Sequence, residues 1–81
     1  MCQFSEKQQV LEKLGKNIRK LRLKKKLSQE ELAFKINSAR NFIGCIERAE
    51  KSPTIITLCR IADALGVEVE KLVADLRFSK R

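Results

Sequence analysis

Few side chains in this sequence could make or break bonds. There is no His, so the commonest general base and the commonest metal ligand are both missing. Cysteines stand at Cys2, Cys45 and Cys59, an odd number without a C-x-x-C spacing, which argues against a zinc site or a disulfide framework. Cys45 and Cys59 fall on helical patterns, with no base to activate them. No catalytic residue, metal or cofactor is implied, and an enzyme is not expected. The sequence is instead rich in cationic hydrogen-bond donors: 18 Lys and Arg against 10 Asp and Glu, for a formal charge of +8. Eight of these basic residues lie from Lys13 to Lys26 with no acidic residue among them. The chemistry on offer is therefore recognition of an anion, with nucleic acid the first candidate.

Helices must position these groups, because apolar spacings of three and four dominate and no period-two run reaches strand length. The 81 residues make one domain, 1–81, with a modest core. A first helix is expected from about Ser5 to Lys25, with Ser5 and Gln8 as a capping pair and Val10, Leu14, Ile18 and Leu21 as its apolar stripe. Ser28 and Glu31 form a second capping box, opening a helix from Gln29 to about Ile36. Asn37 suits a left-handed helix end. A third helix follows from about Ala39 to Ala49 with Ile43 and Ile46 inward. Glu50 to Pro53 reads as a loop. Thr54 caps a fourth helix that Gly66 stops, and a fifth runs from about Val69 to Arg77. The tail Ser79-Lys80-Arg81 is expected to fray. Apolar runs of at most three residues leave no transmembrane or signal segment, and unpaired thiols fit the cytoplasm.

Two short helices joined by a tight turn, at about 28–49, suggest a helix-turn-helix. The detailed pattern is more specific. IRKLRLKKKLSQEELAFKI, then NSARNFIGCIERAEKSP, then TLCRIADALGV resemble the Cro and phage-repressor (xenobiotic-response-element type) helix-turn-helix family over roughly Leu14 to Leu72. The most telling pieces are SQEELA, the spaced Ile43, Ile46, Glu47 and Arg48, and the run from Pro53 to Gly66. The resemblance implies an all-α, five-helix, lambda-repressor-like domain that binds double-stranded DNA and regulates transcription. It places the second helix of the motif in the major groove. On a 3.6-residue helix, Arg40, Asn41, Gly44, Cys45 and Arg48 then lie opposite Ile43 and Ile46. Arg40 can donate two hydrogen bonds to guanine O6 and N7, and Asn41 can pair with adenine or bond a phosphate. Cys45 sits near a thymine methyl or is a bystander on the rim, and Phe42 lies at the DNA rim or plugs the core. The resemblance further implies phosphate contacts by Gln29, with Arg48, Lys51 and Ser52 as additional candidates and Asn17 and Lys16 at the flank. Arg22 and Glu47 are implied to pair and orient the reading helix. Two features depart from the family: Ala39 stands where a capping Ser, Thr or Asp is usual, which leaves Ser38 as the alternative cap, and Gly44 interrupts a helix.

One such module reads few bases, so a homodimer on two half-sites of a near-palindromic operator is expected. Ile56, Val69, Val73, Leu76 and Phe78 exceed what a monomer core requires, which puts an isologous interface on the helices at about 54–77. Proteins of this length and pattern resemble restriction–modification controllers, small phage repressors and some antitoxins. An antitoxin-type module that masks a partner toxin is the alternative function. A membrane-surface role for Lys13 to Lys26 is disfavoured, because its stripe lacks aromatics and serves the core.

Overall fold

A computed structural model describes residues 6–78 as five helices, with no strand among them: α1 (Glu6–Lys24), α2 (Gln29–Lys35), α3 (Phe42–Glu47), α4 (Ile55–Leu65) and α5 (Val69–Leu72). The order and number match the all-α expectation. Cys2, the Ser5 cap and residues 79–81 lie outside the described residues.

Local chemistry sets most of the boundaries. Ser28 Oγ accepts from the Glu31 N–H at 3.0 Å while the Ser28 N–H donates to Glu31 Oε1 at 2.7 Å, a complete capping box. Thr54 Oγ1 accepts from the Thr57 N–H at 3.1 Å and starts α4. Helices α1 to α4 end alike, with a residue at positive φ and paired 6→1 and 5→2 backbone bonds: Lys26 (φ 59°), Asn37 (59°), Ala49 (64°) and Gly66 (70°). Asn37 and Gly66 suit that conformation; Lys26 and Ala49 adopt it at a cost.

Two helices are shorter than their sequence pattern. α3 begins at Phe42, not Ala39, because nothing caps the earlier position. The Ser38 hydroxyl donates back to the Ala33 carbonyl at 3.4 Å, and Asn41, the residue before α3, makes no side-chain cap bond. α5 stops at Leu72, short of Arg77, because Asn17 Nδ2 takes the carbonyls of Leu72 at 2.8 Å and Ala74 at 2.9 Å, and Asp75 turns at φ 62°.

α1 packs against both α3 and α5, α2 against α3 and α4, and α4 against α5. Their shared interior holds Ile18, Leu32, Ile43, Ile46, Ile61, Leu65 and Leu72, all fully buried. Each contributes about 1.5–3 kcal/mol relative to exposure. The α1–α3 crossing is so close that a Cβ on Gly15 would meet the Glu47 carbonyl oxygen at 2.6 Å. Phe42 is half-buried and packs against this core, whereas Phe34 on α2 stands 84% exposed.

Candidate functional site

The three helices around the motif are tied together at one carboxylate. Arg22 of α1 donates from Nε to Glu47 Oε2 at 2.7 Å and from Nη2 to Oε1 at 3.0 Å, and both side chains are buried. Its remaining terminal nitrogen, Nη1, donates to the Leu27 carbonyl at 2.8 Å, just before α2. Gln29 Nε2 of α2 donates to the same Oε1 at 2.9 Å. Arg19 Nη1 approaches that oxygen at 4.0 Å from the exposed side. A buried carboxylate left with one donor would be destabilising; here it has three at hydrogen-bond distance, so its burial is compensated. The last residue of α3 is thereby fixed to α1 and to the first turn of α2. Gln8 adds a bond from Nε2 to the Ala49 carbonyl at 3.3 Å, just beyond α3.

Gly44 requires a correction. The sequence places it on the exposed reading face, but it is buried. The Gln29 side chain lies across it: a Cβ there would stand 3.0 Å from Gln29 Oε1 and 3.0 Å from Arg48 Nη1. Gly44 thus makes room for the amide that reaches Glu47 and does not present an open face to a base. Asn17 is corrected too. Its amide donors go to the end of α5, on the side of α1 that faces that helix, so no flanking phosphate contact is retained for it.

Arg40 and Asn41 are exposed, but on the turn before α3, with the Phe42 N–H bonded to the Ala39 carbonyl at 3.0 Å. Arg40 Nε donates to Glu30 Oε2 at 3.2 Å, across from the first turn of α2. Cys45 is half-buried, with Arg48 Nη2 at 3.9 Å from its Sγ. Arg48 also donates from Nε to Glu50 Oε2 at 2.9 Å and from Nη2 to Oε1 at 3.3 Å. That hydrogen bonding holds the Glu50 carboxyl below its usual value and raises the guanidinium's in turn. Lys51 and Ser52 are exposed in the following loop. The structure therefore gathers Gln29, Arg40, Asn41, Cys45 and Arg48 around the first turn of α2 and the start and outer side of α3. Sequence reasoning missed Glu30, Glu50 and Gly15. Nothing in their spacing marks them, because each acts on a residue that is remote in the pattern or reached around a turn.

At the start of α4 and beyond α5, Ile56 and Phe78 are 62% and 61% exposed, and neighbouring Ile55 is 61% exposed; Ile56 shares a groove with Ser38 and Phe42 at the start of α3. Val69, Val73 and Leu76 pack partly against the core.

Comparison with known proteins identifies the family and the fold. A helix-turn-helix family model, HTH_3, matches residues 18–72. The chain is 37% identical over 62 residues to the immunity repressor protein of Bacillus phage phi105, covering 76% of this chain but only 43% of the repressor's length. It is 41% identical over 64 residues to the control protein C.SmaI of Serratia marcescens, covering 79% of this chain and 76% of that protein. Its fold is similar, with a TM-score of 0.69 and 35% identity over 79% of this chain and 93% of the other, to the restriction–modification controller protein C.Esp1396I, crystallised as a tetramer with its natural 35-base-pair operator.

Proposed function

The chain belongs to the helix-turn-helix family HTH_3, and from that footing we propose that it is a sequence-specific, double-stranded DNA-binding transcription regulator of the restriction–modification controller type, acting as a homodimer. The observation that carries this reading is the fixed end of α3: a buried carboxylate holds the candidate reading element to α1 and α2 at once. The controller subtype is supported by the identity to C.SmaI, and operator binding by the likeness to C.Esp1396I on its operator. The relatives above carry regulator names, and the antitoxin alternative is set aside.

In this reading the turn before α3 enters the major groove. Arg40 reads guanine, Asn41 reads adenine or bonds a phosphate beside it, and Cys45 lies along the groove wall. Gln29 keeps its backbone N–H and one amide hydrogen for a phosphate, because its other amide hydrogen is committed to Glu47. Arg48, Lys51 and Ser52 engage the backbone beyond α3. Arg48 does so from Nη1 while Glu50 holds its Nε and Nη2. The exposed Ile56 and Phe78, together with the half-buried Val69, Val73 and Leu76, form the isologous contact between two copies. The basic run on α1 attracts the duplex over a longer range.

Selection of bound sequences from a random duplex library at near-physiological salt tests the proposal. Enrichment of a near-palindrome is the expected result. Salt-sensitive binding without enrichment would overturn it and leave only a basic surface.

A further inference from the structure

Glu30 has no part in the capping box, which Ser28 and Glu31 complete between them. What it does hold is Arg40, accepting from Nε at 3.2 Å. With the two side chains 65% and 75% exposed, the pair adds little to folding. A carboxylate beside a surface that approaches phosphates also works against binding in general. The geometry gives it a different use. An arginine carries five N–H donors, and a bond at Nε leaves the four on the two terminal nitrogens free, enough for the paired acceptors of a guanine edge. Arg40 itself sits on a turn, where no helix backbone restricts its rotamers. Glu30, by contrast, rises from the first turn of α2, which the capping box and the Gln29–Glu47 bond hold in place.

We infer that Glu30 is a positioning residue for base recognition: its carboxylate pre-orders the Arg40 guanidinium, giving up general affinity for discrimination. The inference rests on the reading of Arg40 as a base contact. It has a signature that a merely structural residue lacks. Removing Glu30 should move affinity for unrelated DNA and discrimination at one base pair in opposite directions.

The test uses the full chain and three duplexes: the selected operator, the operator with one G·C pair exchanged for A·T at the position that Arg40→Ala relaxes, and a random duplex. Glu30→Ala should lose about 2- to 12-fold of the discrimination between the first two, the range set by ordering one rotamer-rich side chain. It should bind the random duplex more tightly at low salt, with the gain shrinking as salt rises. Its thermal midpoint should stay near that of the parent protein. Glu30→Gln, which keeps an acceptor but no charge, should gain the same general affinity and lose less discrimination. In an Arg40→Ala background, Glu30→Ala should change discrimination no further. Full discrimination in Glu30→Ala, or a fall in discrimination together with random-duplex affinity, would overturn the inference while leaving the Arg40 contact standing. If Arg40→Ala relaxes no position at all, the base contact fails and the role of Glu30 fails with it.

Discussion

Consider the replacement of Glu47 by Gln, which keeps the shape of the side chain and removes its charge. The amide oxygen can take the place of Oε1 and continue to accept from Arg22 Nη2 and Gln29 Nε2. The amide nitrogen then falls where Oε2 stood, 2.7 Å from Arg22 Nε, and sets a donor against a donor. Arg22 keeps its bond to the Leu27 carbonyl but is left as a buried cation without its counter-charge. Breaking a buried pair in this way costs about 3–5 kcal/mol. A domain of 81 residues has only about 4–12 kcal/mol in total, at roughly 0.05–0.15 per residue. The thermal midpoint should therefore fall by at least about 12 °C, at about 4–8 °C per kcal/mol. Differential scanning fluorimetry or circular-dichroism melts would measure it, with Glu30→Gln as the control for an exposed ion pair, expected to shift by about 0–1 kcal/mol. If Glu47→Gln melts within a few degrees of Glu30→Gln, burial is not what gives the pair its weight, and the argument from desolvation is refuted. The double variant Arg22→Met/Glu47→Leu should recover part of the loss, but not all of it. It leaves the Gln29 amide and the Leu27 carbonyl without these partners.

Other changes follow from the same geometry. Gly15→Ala gains about 0.5–1 kcal/mol of helix propensity but forces a methyl against the backbone carbonyls of Glu47 and Ile46, at 2.6 and 2.8 Å, so a net loss of about 1–2 kcal/mol is expected in urea unfolding. Lys26→Gly relieves an L-residue at φ 59° on the surface and should raise stability by about 0.5–1 kcal/mol, read as a higher thermal midpoint. Arg40→Ala should relax one base pair and cost about 1–3 kcal/mol on the operator, whereas Lys51→Ala should weaken all duplexes alike and flatten the salt slope by about one unit; equal losses on specific and random duplexes, or an unchanged slope, would count against the respective assignments. Glu50 titrates below its ordinary value because Arg48 bonds its ionised form. Its small contribution to stability is thus present above that ordinary value and lost as pH falls through the lowered one. Carboxyl NMR should find that depressed midpoint, and Arg48→Ala should return it to normal.

The sequence carried the helices further than their ends. Ser28, Thr54 and Gly66 announce boundaries through side-chain caps and a residue suited to positive φ, and the structure places them there. Lys26 and Ala49 announce nothing, because their left-handed turns are imposed by the packing that follows rather than by their own preference. α5 ends short of its pattern for a related reason. Its apolar spacing continues to Leu76, but Asn17, more than fifty residues earlier in the chain, takes the carbonyls that a longer helix would use. The reading face shows the same division. A helical pattern puts Arg40, Asn41 and Cys45 forward as readers, although Arg40 and Asn41 sit ahead of the helix proper. Gly44 was misplaced because one-dimensional spacing cannot show a glutamine side chain from the neighbouring helix lying across it.

The close crossing at Gly15 and the Asn17 amide have a consequence for operator geometry. They sit two residues apart on α1, one clamping the end of α3 and the other the end of α5. α1 is thus a rigid crossbeam between the part of the molecule that would meet bases and the part that would meet a second copy. In a two-fold assembly joined through α4 and α5, the separation and tilt of the two reading turns become a fixed ruler. An operator with its half-sites moved by one base pair would be off by about 3.4 Å and a tenth of a turn, and this beam offers no hinge to absorb either. Spacing would then be inherited from helix packing, while base preference stays free to change at Arg40 and Asn41.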